Sequence, residues 1–528
     1  MIHIDPPLPT VYAGRLLSLA DTVELADNFE VSRYLADRAV EDLGGVPITT
    51  SSEGADELIA RMMAAEAIFA LNRTDMPTSG NWYTDAINRM INVAGLVHPE
   101  ITSDEIAAVH PSGMFGRSQD ARTVLLAAIA ITSQNNAVFE NMNYAIEQYR
   151  EFCAVGRFSP KRYGANGAAV ESNLSRFNSV LDKCRGDLGI LHKVLTARLT
   201  MKELRSMAAR HGIKVGGKEM ADEIVHGSMI FGPKVGNGFL QNLLGNFEPV
   251  TIDLWFMRMW GRYTGTLVRD DVSGDAVSRL VRGIRRAHRS QRMVSLMQQS
   301  GVYRDPVDLW DLDNAQMLSY ARDLKRFWEK LRRGYVSGHY GETFSERSPK
   351  AHLQPRDNAT ASEMKARLIW PGAVESLVKS LGSPVDAPSS AGLRRWIRSV
   401  CHRSLVMLKD SGYEMTAADL QALLWYPEKE IYGRLSGRPF ERLNASYDEA
   451  MIRIAQREGF TSDDIAEAVQ SVGAYGKGRS GNADGSGFGD TRTVVGFHRR
   501  ADRLRGERYD DFAEDDGSVV APRAATGM

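Results

Sequence analysis

The chain has 528 residues, 43% of them hydrophobic, and a formal net charge of −1. That length suits two or three domains with large cores, and the near-zero charge excludes a chain that is polybasic throughout. Any nucleic-acid site must then rest on local clusters of Arg and Lys.

Three cysteines, Cys153, Cys184 and Cys401, lie far apart without metal-ligand spacing. A disulfide scaffold and a four-cysteine iron–sulfur loop are therefore not expected, and neither a metal nor a cofactor is foreseen. No apolar run reaches the roughly 18 residues of a membrane helix. The N-terminus lacks the basic and apolar regions of a signal peptide, so a cytoplasmic protein with no membrane partner is expected. In chain order, residues 1–117 read as an N-terminal helical region, with helical periodicity over Leu16–Leu43, Ala55–Leu71 and Trp82–Val97. Asn72–Asn81 is a polar break, and Ser103 is placed to cap a helix starting at Asp104. From Arg122 the pattern changes. Val124–Ile131 is apolar on nearly all sides, the mark of a buried helix, Thr132-Ser133-Gln134-Asn135 interrupts it, and Val138–Phe152 is a second helix. A basic, Gly-bearing loop follows over Arg157–Gly167, then helices near 168–185 and 187–196 and a short one over Thr200–Ala209. Lys214 to Lys218 reads as a turn and Glu219–Met229 as a helix.

The most informative stretch is Met229–Arg262. Phe231-Gly232-Pro233 is a tight turn, with Gly232 able to take positive φ and Pro233 presetting the first helical position. Val235, Phe239, Leu240, Leu243 and Leu244 then recur at helical spacing, and Gly245-Asn246 closes that helix. After a loop with Pro249, Thr251 is a candidate cap, and Asp253 falls in the first turn, where the helix dipole favours an ionised carboxylate. Backbone N–H groups at a turn feeding a helix make a phosphate cradle.

These residues resemble the helix-hairpin-helix DNA glycosylase superfamily. Lys234 stands two positions after the hairpin Gly232, Asp253 follows that glycine at the family's spacing, and Arg258 lies five positions after the aspartate. The hairpin departs from the family's apolar-Pro-Gly-apolar-Gly pattern, since Ile230 stands where the first glycine would be. The buried helix ending in Ser133-Gln134 is similar to the superfamily's opening helices. The resemblance implies that Lys234 and Asp253 are catalytic and that Gln134 and Asn135 face the target or orphaned base. Lys218, Gly232, Gly236, Asn237, Gln241, Arg258 and Arg262 become candidate DNA contacts. The resemblance covers about 120–295, within a central domain set at 118–298.

Beyond the hairpin, Arg279, Arg282, Arg285, Arg286, Arg289 and Arg292 alternate with Leu280, Val281, Ile284, Ala287 and Met293. This predicts one helix with a basic face suited to phosphates, and Arg285, Arg289 and Arg292 are its candidate DNA contacts. A C-terminal helical domain is set at 299–470, with helices over Leu318–Tyr335, Leu393–Leu408 and Leu420–Leu435. In the last, Trp425 and Tyr426 lie beside Glu428 and Lys429, a pairing that can stack on bases but more often serves as core and surface. Residues 338–358 read as a loop and 471–528 as a flexible tail. No strand pattern stands out, so the fold class expected is all-α: a helix-hairpin-helix glycosylase-like domain between N- and C-terminal helical regions.

The hairpin stretch, with LLWYPEKEIYGRL near residue 430, also resembles a bacteriophage offshoot of that superfamily. This is the α-glutamyl/putrescinyl-thymine pyrophosphorylase group, the amino acid:DNA transferases. The resemblance implies action on pyrophosphorylated 5-hydroxymethyluracil in double-stranded DNA, where an amino acid or polyamine replaces pyrophosphate. It also implies a bacterial host cytoplasm. A bifunctional DNA glycosylase/AP lyase, with Lys234 as Schiff-base amine, is the second expectation. A non-catalytic DNA-binding protein is the third. Each of the enzymatic readings requires the base to leave the stack.

Overall fold

The computed structural model describes residues 12–19, 25, 28–73, 82–164, 166–268, 274–289, 291–336, 384–437 and 446–470. Expectations for 74–81, for the loop at 338–358 and for the tail from Ser471 lie outside the described residues.

The all-α class holds: the described chain is predominantly helical. The N-terminal stretch contains α1 (Ala13–Leu19), α2 (Asn28–Asp42), α3 (Glu53–Leu71), α4 (Trp82–Val97) and α5 (Asp104–Ala108). Ser103 caps α5 as expected, its hydroxyl accepting the Ile106 amide at 3.3 Å. Then come α6 (Ser118–Thr132), α7 (Val138–Val155), α8 (Gly167–Lys183), α9 (Leu188–Thr196) and α10 (Met201–Arg210). Every residue from Val124 to Ile131 is buried, which explains why this stretch of α6 is apolar on all sides.

Two corrections concern the hairpin. Residues 219–229 do not form a helix. Ile224–His226 is a short strand, β2, paired antiparallel with β1 (Arg198–Thr200) in the register Arg198↔His226. A 3-10 turn, Gly227–Phe231, follows. The β-branched pair Ile224-Val225 suits an extended backbone. In addition, Glu219 is held in place by an ion pair with Arg394 from a distant helix. After Lys234 the chain also departs from a plain α-helix: Val235–Leu240 is a π-helical turn running into the three-residue α11 (Gln241–Leu243).

Next are α12 (Leu254–Thr264), α13 (Gly274–Ala287), α14 (Gln291–Gln299) and α15 (Asn314–Val336), followed by α16 (Ala391–Asp410), α17 (Ala417–Leu435), α18 (Tyr447–Arg457) and α19 (Ser462–Gln470). The single basic helix expected over 279–294 is thus two, α13 and α14. Among the described residues no helix is long and apolar enough to cross a membrane.

The packing joins distant parts of the sequence. One core runs from Tyr83 to Ala468 and unites α4, α6–α9, the π-turn and α18. A second buries α3, α12, α16 and α17 together. Helix α4 packs on α18, and α12 on α17. By contrast, α13, α14 and α15 close a separate small core around Leu280, Ile284, Met297 and Leu324. The consequence for function is that the N-terminus of α12 and the hairpin turn sit against helices from both ends of the chain.

Candidate active site

Asp253 is the focus. It does not sit inside the first turn of α12, with Thr251 as cap; Asp253 is itself the cap. Its backbone is extended and its Oδ1 accepts the Phe256 amide at 2.9 Å. Thr251 is instead tied to α17 and to the hairpin helix, its amide bonding Gln421 Oε1 at 2.7 Å and its hydroxyl Asn242 Oδ1 at 3.0 Å.

Four elements converge on this carboxylate. Lys234, at the hairpin, and Lys429, on α17, both lie close enough for their charges to favour its ionised form. From α17 also comes Trp425, whose indole N–H faces Asp253 closely enough to favour the anion, yet outside hydrogen-bond geometry. Tyr83 of α4 and Tyr447 of α18 complete the surround; burial holds both hydroxyls protonated, and the Asp253 charge adds to it. Tyr447 also accepts Asn141 Nδ2 at 3.0 Å and lies 5.5 Å from the Phe239 ring. Lys429 lies 5.4 Å over the Trp425 ring, a cation–π contact made possible by their i, i+4 spacing.

The electrostatics are unusual for a helix cap. Burial pushes the Asp253 carboxyl above its ordinary range, despite both lysines, the Phe256 amide and Trp425. The dipole argument made from sequence therefore does not decide its charge. Burial also lowers Lys429, opposed by Asp253. Among the described residues no hydrogen bond or contact ion pair engages the Lys234 ammonium. Asp253, Lys234, Trp425 and Lys429 each keep part of their surface exposed, while the Trp425 indole nitrogen is buried. A proton acceptor, two ammonium groups and an indole gathered in one cluster can bind an anion and move a proton beside it.

The hairpin geometry explains how Lys234 is held. Gly232 has φ of 99°, as the sequence predicts, and nothing within 4 Å of where a Cβ would stand. Gly236 is different: it is buried, and a Cβ there would lie 1.7 Å from the Ser228 carbonyl oxygen. Its role is close backbone packing, not contact with DNA. Gln241 is likewise committed inside, donating to Leu195 O at 3.0 Å and Ser228 Oγ at 2.7 Å. Asn237 is half-buried, and its Oδ1 accepts the His226 amide at 2.8 Å.

Two arginines expected at the DNA are buried and paired. Arg258 is 1% exposed, donates to Asp386 and lies 4.8 Å from both the Trp255 and Tyr432 rings. Arg262 is wholly buried between Glu66 and Glu428, at 2.7 Å from each. Neither guanidinium can reach a phosphate.

The remaining candidates lie at the surface. Gln134 is half-buried and donates to Ile131 O, while Asn135 is exposed in the left-handed region at φ 61°. Their turn is linked to the cluster through Thr132, which bonds Asn141 Oδ1 at 2.6 Å, and through the Asn141–Tyr447 bond. Lys218, Arg285 and Arg289 are exposed, whereas the Arg292 side chain lies outside the described residues. Arg285, on α13, and Arg289, in the turn after it, lie on the outside of the separate α13–α15 unit rather than in the Asp253 cluster.

Lys429, Tyr83 and Tyr447 are the members the sequence reading did not assign to the site, and Trp425 was read only as a possible stacking residue. For Lys429 the signal was its i, i+4 relation to Trp425. For the tyrosines no local signal exists, because they join the cluster only through the α4–α18 packing. No family model, no curated protein and no solved structure matches the chain.

Proposed function

We propose that the chain is a DNA-base-modifying enzyme that works on a base turned out of its duplex at the Asp253 cluster. The favoured reaction replaces pyrophosphate on 5-hydroxymethyluracil in DNA with an amino acid or polyamine. The observation that carries this reading is the pairing of one carboxylate, raised by burial, with two ammonium groups in a single cluster. A carboxylate so raised accepts a proton more readily at neutral pH than an ordinary one. In the proposed step the amine nitrogen bonds to the 5-methylene carbon while that carbon's bond to oxygen breaks. Pyrophosphate departs with the electron pair, towards Lys234 and Lys429, and the proton shed by the new ammonium goes to Asp253. Trp425, Tyr83 and Tyr447 offer aromatic faces for the base.

The lowered Lys429 favours a second reading as well, with Lys429 rather than the Lys234 expected from the sequence as the attacking amine. An amine that gives up its proton more easily is a better nucleophile, and a glycosylase/AP lyase needs one to attack C1′. One experiment separates the two. Duplex DNA bearing pyrophosphorylated 5-hydroxymethyluracil is incubated with the chain and an amino acid or putrescine, then digested to nucleosides for mass spectrometry. A mass gain equal to the amine supports the transferase. A borohydride-trapped covalent adduct on damaged DNA, with no such gain, supports the lyase. If neither signal appears, both readings fall.

A further inference from the structure

A second polar cluster lies at the other end of α7. Cys153 is twelve residues beyond Asn141, which places it about 18 Å along the helix from the contact with Tyr447. Here Glu100, in the 3-10 turn Pro99–Ile101, is wholly buried. Its Oε1 accepts the Tyr149 hydroxyl at 2.9 Å. The imidazole Nδ1 of His98 is 3.4 Å from the same oxygen, and Nε2 of His110 is 3.8 Å from it. Cys153 is one turn beyond Tyr149 on α7, so the thiol and the phenol project from the same helix face. A carboxylate oxygen of Glu100, a ring nitrogen of His110 and Sγ of Cys153 all lie within 4.8 Å of one another.

We propose that Glu100, His110 and Cys153 bind a zinc ion. A tetrahedral zinc with bonds of about 2.0–2.3 Å sets its ligand atoms roughly 3.6 Å apart. From separations of up to 4.8 Å, the donors would have to draw about 1 Å closer to reach that spacing. The donor set selects the metal: thiolate and imidazole favour zinc over calcium or magnesium, which take oxygen alone. The surroundings supply the outer support that metal ligands need. Ser112 Oγ is 2.8 Å from His110 Nδ1 and accepts its proton when Nε2 turns to the metal. Tyr149 and His98 hold the carboxylate oxygen, and the Phe115 ring lies 5.3 Å from His110. The three ligands come from the turn after α4, the loop after α5 and the C-terminal end of α7. One ion would staple the N-terminal region to α7. Without metal, His110 Nε2–H points at Glu100, and the Ser112 amide at 3.2 Å bonds Nδ1. This is the alternative that the test must exclude.

The test uses the full chain without a histidine tag, purified with zinc and dialysed into zinc-free buffer. Elemental analysis should find about one zinc per chain, falling more than tenfold in Cys153→Ser and in His110→Ala. Cobalt added to zinc-stripped chain should give a thiolate-to-metal charge-transfer band that Cys153→Ser lacks. A chelator should lower the melting temperature of the wild type and leave Cys153→Ser unchanged. Absence of both zinc and the cobalt band in the wild type overturns the proposal, as does full zinc occupancy in both variants. Should a variant fail to fold, the wild-type zinc content and cobalt band decide alone.

Discussion

Helix α12 carries two charged sites at its two ends, and they obey opposite rules. At its C-terminal end Arg262 is wholly buried, and Glu66 and Glu428 saturate it. At its N-terminal end Asp253 is half-buried, with Lys234 and Lys429 near enough for their charges to act on it. Both sites draw on α17, where the adjacent residues Glu428 and Lys429 serve the two ends. The triad is sealed from solvent, and its arginine is committed to two carboxylates, so it offers a ligand no access. A cluster that keeps some exposure and in which no hydrogen bond or contact ion pair among the described residues holds the Lys234 ammonium can receive an outside group. Burial and partner geometry, not residue type, distinguish structural from functional charge here.

The largest expected effect comes from breaking the closed site. Arg262→Met leaves Glu66 and Glu428 facing each other without a cation, and should cost about 3–5 kcal/mol of stability in denaturant unfolding. If the loss were below about 1 kcal/mol, the two ends of α12 would not differ in the way described. At the open end the expectation is reversed. Lys234→Ala should leave the unfolding midpoint within about 0.5 kcal/mol of wild type and lower turnover on modified DNA by roughly 10²–10³-fold. Equal losses of stability and turnover would make Lys234 structural.

Asp253 sharpens the contrast further. Asp253→Ala removes the cap of α12 and should cost about 1 kcal/mol. Asp253→Asn keeps a capping oxygen and deletes a charge that burial disfavours, so it should be neutral or stabilising. The sign with pH follows from the raised carboxyl. The folded chain holds the Asp253 proton more tightly than the unfolded chain does, so no penalty exists below the ordinary carboxylate range. The penalty grows as pH rises through the raised value. The melting temperature of Asp253→Asn relative to wild type should accordingly increase over that window. A difference that stays flat would mean that burial does not perturb this carboxyl.

How far the site was legible in the sequence follows from the same comparison. The positions of Lys234 and Asp253 were readable because a turn glycine and two helix starts are local signals, and Gly232 has the positive φ that the turn requires. The ends of α6 and α7 were readable because a polar run breaks an apolar one. What could not be read was burial. Arg258 and Arg262 match a DNA-contact spacing, but their carboxylate partners lie more than a hundred residues away. Gln241 and Gly236 failed as DNA contacts for the same reason, since both pack against Ser228. Residues 219–229 read as a helix by pattern, while pairing with β1, a tertiary event, made part of them a strand. The Glu100, His110 and Cys153 group has no motif spacing because α7 is brought to the earlier turns only by folding.

A smaller effect is expected at the basic surface of α13 and the turn after it. Arg285 on α13 and Arg289 in that turn are exposed, outside the Asp253 core. Replacing both with Ala should reduce the dependence of DNA affinity on salt by about two units of slope, without changing turnover at saturating DNA. An unchanged slope would remove α13 from the DNA path.

The most direct test of the central claim is the nucleoside product formed by wild type and by Asp253→Asn from the same pyrophosphorylated duplex and the same amine. The account predicts an amine-bearing thymidine from wild type and a yield lowered at least a hundredfold from the variant, with both proteins equally folded. Equal yields from the two proteins would contradict it.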